Sequence, residues 1–313
     1  MTDGRAGYAH ALYAASLAAF GTPRHLPGAG AWLLERAIPG TDARDAMGCY
    51  PLLCCDRWDA LDADLTAHAG DLVTVTAVTD PFGAYDEAVL HRTFGHVRRF
   101  KEHHVADLSL GVDAAVSSHH RYYARRALAA QSVAAHPEPA AFLDEWVTLY
   151  AGLVRRHALR GIQAFGREAF AAQLAVPGAR LFVAEAEGVV TGAQLWYMAG
   201  DVAYNHLQAT SDAGYQLGAA YALYITAMRA FAREVRWLHL GAGAGTTAAA
   251  GDGLTRFKAG WATGTRPAYL CGRVVDPQRY ADVSRQVARS RPDGEATDAH
   301  DDYFPAYRVR DGG

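Results

Sequence analysis

Residues 181–261 read as strand, turn, strand, turn, strand, helix, strand, loop. The run LFVAEAEGVVTGAQLWYMAGDVAYNHLQAT carries three apolar stretches separated by two tight turns, Glu187-Gly188 and Gly200-Asp201. The third stretch, residues 203–210, passes through SDAGYQLGAA into a long apolar helix that starts near Gly218. A short strand, WLHL, follows, and a glycine-rich loop runs from Gly241 towards Trp261. Strands that meander and then feed a helix and another strand define an α/β domain. Ligands of such sheets gather beyond the carboxyl ends of the strands.

Length and charge narrow the function. The chain has 313 residues, more than one core usually carries, so two domains are expected. Its make-up, 50% hydrophobic and 20% charged, is that of an ordinary soluble protein. A net charge of −3 argues against wholesale coating of nucleic acid and leaves room for a local basic patch. Cys49, Cys54, Cys55 and Cys271 show no paired metal spacing, and the adjacent Cys54 and Cys55 suit neither a zinc knuckle nor a disulfide. A reduced, cytoplasmic chain is the expectation. The first residues lack a basic leader and a clear cleavage site, so no signal peptide is read there. No apolar run is long enough to span a bilayer.

The first half opens with an expected helix over residues 8–20, and LPGAGAWLLERAI brings glycine and proline punctuation before another helical stretch. Residues 71–79 are β-branched and apolar and predict a buried strand. Residues 80–83 predict a turn, and Val89, Leu90, Phe94, Val97 and Phe100 predict a helix over 85–100. A strand is expected over 104–111 and a short basic helix over 117–135. His136-Pro137-Glu138-Pro139 is the expected boundary, because prolines stop helices and stiffen linkers. An amphipathic helix should fill 140–157, and Asp276-Pro277 should cap a last helix ending near Arg289. The expected domains are residues 1–136, residues 137–275 with the donor site, and a tail over 276–313. Tyr303, Phe304 and Tyr307 are apolar enough to dock the tail back onto the first domain.

Three constellations carry chemistry. At the strand–helix junction, Ser211 or Asp212 can cap the turn, and Gly214 and Gly218 let backbone amides approach a ligand at a helix N-terminus; a plain capped helix explains the same residues. In the glycine-rich loop, Lys258 stands between Phe257 and Ala259 near Trp261, either as a site group or as a stem reaching the surface. No Lys-Ser/Thr follows in phosphate-loop register. The third constellation is basic: Lys101, His103, His104, His119, His120, Arg121, Arg125 and Arg126, with Tyr122 and Tyr123 interleaved. Arg121 and Arg125 share a helix face, suited to phosphates or RNA backbone or simply to solvent. The adjacent histidine pairs lack metal-ligand spacing, so no metal is expected. Serine-hydrolase elbows, zinc-protease motifs and dinucleotide fingerprints are missing from the sequence.

HHRYYARRALAAQSV, the run from LFVAEAEG to ALYITAM, LHLGAGAG, GLTRFKAGW and RVVDPQRY resemble the GNAT superfamily, and within it the Fem-like group. The resemblance covers roughly residues 72–280. It implies an α/β fold of two GNAT-like domains in tandem, each a mixed, mostly antiparallel sheet flanked by helices. Enzymes of the superfamily that use acyl-CoA carry Arg/Gln-x-x-Gly-x-Gly/Ala at the junction. Here Gly218 and Ala220 fit, Tyr215 stands in the first position, and Gln216 is one place off. A degenerate cradle of this kind is expected of Fem-like proteins, which take an aminoacyl ester from tRNA.

The resemblance therefore implies an amide-forming acyltransferase. It would move an aminoacyl group from aminoacyl-tRNA, its co-substrate, to an amine of a small molecule or peptide precursor. An ester is already activated, so no covalent enzyme intermediate is needed; the protein positions the amine, removes a proton and stabilises an oxyanion. Lys258 is carried over from the family's Phe-Lys pair, and His206, Glu185 and Asp252 are candidates for proton removal, His206 competing with a buried structural role. Tyr204, Tyr215, Gln216, Gly218, Phe257 and Trp261 are donor-side candidates. Lys101, Asp107, Arg121, Arg125 and Arg126 are acceptor-side or RNA-side candidates. No tightly bound cofactor, DNA partner or membrane span is expected. The alternatives are an N-acyltransferase using acetyl-CoA or another acyl-CoA, and a non-catalytic GNAT-like binding module.

Overall fold

The computed structural model describes residues 5–243, 253–289 and 304–308. In chain order the elements begin with α1 (Ala11–Ser16), β1 (Thr22–Leu26), β2 (Ala31–Ala37), β3 (Arg44–Gly48), α2 (Leu61–His68) and β4 (Thr74–Val78). Then come α3 (Glu87–Thr93), β5 (His96–Asp107), α4 (Val112–Ala115), α5 (Ser118–Ala130), β6 (Ser132–His136), α6 (Leu143–His157) and α7 (Arg167–Leu174). The last are β7 (Ala179–Ala186), β8 (Val189–Ala199), β9 (Val202–Thr210), α8 (Asp212–Leu217), α9 (Ala219–Phe231), β10 (Trp237–Gly241), α10 (Gly253–Ala259), β11 (Gly264–Val274) and α11 (Pro277–Arg289). The expected α/β class, mixed sheets flanked by helices, is the class observed.

The chain forms two compact units, interleaved in sequence: Met1–Ser16 with Lys101–Pro267, and Leu17–Phe100 with Ala268–Gly313. The proline-rich segment expected as a boundary lies within the first unit. There β6 ends on His136 and pairs with β7, and Pro139 opens the turn that leads into α6.

In unit one the strands follow the order β5-β10-β9-β8-β7-β6. The meander β7-β8-β9 is antiparallel, as the two turns demand, and β10 runs parallel to β9. One face of this sheet is covered by α9, whose Leu223, Ala227, Met228 and Phe231 pack on Phe182, Ala184, Trp196 and Ala203. Each large side chain removed from water in this way contributes about 1.5–3 kcal/mol. Tyr8, Tyr13, Tyr197 and His206 interlock by edge and stacked ring contacts.

In unit two the order is β1-β2-β3-β4-β11, with β3 and β4 parallel and the remaining pairs antiparallel. Trp58, Leu61, Leu65, Leu90 and Phe94 belong to its main core. Tyr307 is buried against Ile38, Val73 and Val283, with its hydroxyl 2.6 Å from Thr74 Oγ1. Phe304 stacks on His96. Tyr303 lies outside the described residues.

Three local expectations change. The helical stretch expected around AWLLERA is β2, with antiparallel neighbours on both sides; so short an apolar run fits either period. The helix expected over 85–100 stops at Thr93, because Phe94 is extended (φ −126°) and buried, and β5 begins two residues on. The helix expected over 117–135 stops at Ala130. There Gln131 turns extended and its carboxamide bonds Leu217 O (3.1 Å) and Thr191 Oγ1 (2.7 Å), which releases residues 132–136 into β6.

Candidate functional site

The site grows from one parallel strand pair in unit one. β9 and β10 pair through Trp237–Val202, Leu238–Ala203 and His239–Tyr204 only, although β9 continues to Thr210. Beyond that rung the two strands part. On its other edge β9 pairs Trp196 with Asn205 and Leu195 with Leu207, so His206 is an extra, bulged residue at the level of the opening. The chain leaves β9 through Ser211, whose Oγ accepts from the Gly214 amide (3.1 Å). A Cβ on Gly214 would sit 1.9 Å from Thr191 O, so only glycine lets α8 approach β8 this closely. Gly218 is left-handed (φ +71°) and joins α8 to α9. Its amide is already bonded to Tyr215 O (3.3 Å).

Two ammonium groups meet at the carboxyl end of β10. Lys258 Nζ donates to Ala242 O (2.6 Å) and Lys101 Nζ to Gly243 O (3.2 Å). Consecutive carbonyls at a strand end thus hold two positive charges where β9 and β10 have separated. His103 and His239 lie behind them, ring nitrogens 2.7 Å apart and planes 24° apart. Burial, then the two lysines, push His103 down to about 3. Burial, then His103 and Lys258, hold His239 well below its ordinary value. Both imidazoles are neutral near neutral pH, so one donates and the other accepts.

An aromatic block seats Lys258. Phe257 and Trp261 pack against Tyr221 and Tyr224 of α9, with Trp261 stacked on Tyr224 at 5.3 Å. His120 of α5 bonds the Phe257 carbonyl through Nε2 (3.0 Å) and Ser117 Oγ through Nδ1 (2.9 Å). A Cβ on Gly260 would fall 2.1 Å from the His120 ring, so glycine is required where α10 ends. These contacts fix the lysine's helix between α5 and α9.

The remaining sequence candidates scatter. Tyr204 is buried, with its ring 5.2 Å from that of His239. His206 is enclosed by Tyr8, Tyr13, Tyr197 and Phe165; its nitrogens face Tyr8 Oη and Gln173 Oε1 at 3.2 Å each, and burial pushes it down to about 3. Such an imidazole is a weak proton acceptor near neutrality. Glu185 is exposed on β7, whose rung there pairs it with Ser132. Tyr215 and Gln216 are exposed on α8, the Tyr215 ring 5.6 Å from the Arg156 guanidinium. Asp107 caps the turn after β5 and pairs with Arg236 (2.9 Å), which holds it far below the usual carboxylate range. Asp252 lies outside the described residues.

Arg121 and Arg125 line, with Arg229 of α9, a groove of about 850 Å³ floored by Ala124, Leu128 and Ile225. Arg121 is steadied by the carbonyls of Asp113 and Val116; Arg126 is exposed beside them. Among the described residues no helix is long and apolar enough to cross a membrane.

Sequence reasoning passed over His239 as a partner of His103, and it passed over Asn205 entirely. The single signal for Asn205 is a polar residue among the several polar residues of β9, VAYNHLQAT.

Known folds resemble this one closely. FemX superposes with a TM-score of 0.63 at 14% identity, covering 87% of this chain and 92% of that one. L-PGS from Bacillus licheniformis superposes with a TM-score of 0.60 at 16% identity, covering 88% of this chain and 91% of its own. At such identities the likeness establishes the fold. No family model matches the sequence, and no curated relative matches it.

Proposed function

We propose that the protein is an acyltransferase that moves an aminoacyl group from aminoacyl-tRNA to an amine of a small molecule or peptide precursor. The observation that carries this reading is the Lys258 ammonium, anchored on Ala242 O beside the opening between β9 and β10. The fold shared with FemX and L-PGS supports it. In the reaction the acceptor nitrogen attacks the ester carbonyl carbon. The C–N bond forms, negative charge gathers on the carbonyl oxygen beside Lys258, and the C–O bond to the ribose breaks. The proton lost by the amine ends on the departing ribose oxygen. Fixed positive charge placed where the oxyanion develops is a large aid to such a step.

His206 is left out of this scheme, because its ring is engaged at both nitrogens and held neutral. The groove of Arg121, Arg125 and Arg229 is assigned to phosphates of the RNA, with Arg126 at its edge. A charged tRNA donor places the reaction in the cytoplasm. Tyr215, exposed in the first position of the cradle where acyl-CoA enzymes carry Arg or Gln, supports this donor over acyl-CoA.

The test is donor dependence. The full chain is incubated with a panel of amines and either charged tRNA or acetyl-CoA, each with and without ribonuclease pretreatment. Amide product is expected from charged tRNA alone and should vanish after ribonuclease. Product from acetyl-CoA that survives ribonuclease overturns the donor assignment.

A further inference from the structure

We propose that the Asn205 carboxamide donates a hydrogen bond to the carbonyl of the acyl donor where β9 and β10 part; this rests on the transfer reaction proposed above. Asn205 stands immediately past the last rung shared by the two strands, so its β10-side edge has no ladder partner. On the β8 side it pairs with Trp196, just before the bulge that displaces His206. Its Oδ1 accepts from the Tyr224 hydroxyl at 3.1 Å. That bond sets the orientation of the amide and leaves the Nδ2 hydrogens to point elsewhere. Among the described residues Nδ2 has no hydrogen-bond partner, although it is shut off from solvent.

A buried amide donor without a partner is costly, and native structures rarely keep one. Leucine has nearly the same shape as asparagine and would remove that cost at the amide, though it would also take the acceptor from the Tyr224 hydroxyl. The position retains a polar group, and Tyr224 is itself clamped by Trp261 and Phe257, which flank Lys258. An aligned donor thus sits on β9 where β10 leaves it, bonded to the α9 tyrosine against which Phe257 and Trp261, on either side of Lys258, pack. What it lacks is an acceptor. An ester carbonyl entering between the strands supplies one, and a neutral donor that acts together with an ammonium is an arrangement that binds a developing oxyanion.

The test separates carbonyl recognition from RNA binding. Binding of the full chain is measured by fluorescence anisotropy to acceptor-stem minihelices whose 3′-adenosine carries an amide-linked amino acid, in a panel covering the twenty residues, and to the uncharged minihelix. Wild type should prefer at least one charged form by about tenfold, and Asn205→Leu should reduce that preference to about twofold or less. Uncharged binding should be unchanged. Tyr224→Phe, which removes only the hydroxyl that orients the amide, should weaken the preference partway; it serves as the second variant should the leucine protein fail to fold. A leucine variant that folds and keeps the full preference overturns the role of Asn205 and leaves the transfer reaction standing. A wild type with no preference for charged RNA overturns the donor assignment, and the role of Asn205 with it.

Discussion

Each unit contains one parallel strand pair, and the two pairs end differently. In unit two, β3 and β4 pair through Ala46–Val75 and Met47–Thr76, and the chain then returns so that Leu53 bridges Thr79. Leu53 donates to Val78 O (2.7 Å) and Asp80 donates to Leu53 O (3.2 Å). The Thr79 hydroxyl accepts from Tyr85 Oη (2.7 Å) and from the Tyr269 amide (3.0 Å). Leu53, Thr79 and Asp80 are thus tied together by backbone and hydroxyl bonds, and Trp58 and Tyr85 pack side by side. In unit one the pair β9–β10 stops at Tyr204 and His239, a bulge follows, and two lysines and an asparagine line the opening. A closed pair is a structural element. An open pair with two ammonium groups at its mouth is where the proposed reaction places its substrate.

The largest expected break in this contrast comes from Lys258→Ala. Removing the ammonium should lower kcat for transfer from charged tRNA by about 100-fold with little change in melting temperature, since the side chain holds one carbonyl at a partly exposed strand end. A kcat within about threefold of wild type would place the charge elsewhere. Next, Thr79→Val should sharpen the comparison from the closed side. It strips the acceptor from two donors in a fully buried position and should destabilise unit two by about 1–3 kcal/mol in denaturant unfolding. Steady-state transfer under native conditions should not change; a drop in rate at full folding would mean the closed pair also serves the reaction.

The smallest effect is expected from His206→Phe. The folded pKa of His206 is pushed down to about 3, against about 6.5 for the free side chain. Between those values the unfolded chain binds the extra proton. The stabilising contribution is therefore complete above about pH 6.5 and is lost as pH falls towards 3, at no more than about 1.4 kcal/mol per pH unit. Phenylalanine should flatten that part of the stability curve, only partly because His103 and His239 are held neutral in the same way. The pH profile of transfer above pH 6 should not move. Loss of an acid-side limb near neutrality would restore His206 as the general base.

Much of the fold was legible in local patterns. The alternation and turn residues of 181–210 predict β7, β8 and β9, and Ser211 marks the helix start that follows. The first half was less legible. AWLLERA fits a strand or a helix turn equally, and the break after Thr93 depends on Phe94 being drawn into a core made by distant residues. The proposed role of Lys258 comes from the Phe-Lys resemblance. Its pairing with Lys101 was not legible, because the two reach adjacent carbonyls from far apart in the chain: Lys101 and Gly243 are separated by 142 residues. His206 misled for a related reason. An imidazole on a strand looks like a base until the residues around it, Tyr8 and Gln173, are known to occupy both nitrogens.

What the sequence alone determined is the order of elements from β7 to α9 and the residue types at the strand–helix junction, since side-chain period, turn residues and caps act over a few neighbouring positions. Tertiary structure decided where β9 and β10 separate, which face of β9 holds Asn205 and which holds His206, and whether His103 meets His239. Those outcomes depend on register. One bulged residue redirects the side chains that follow it, and the partners that satisfy or abandon a polar group come from strands and helices brought together only by folding.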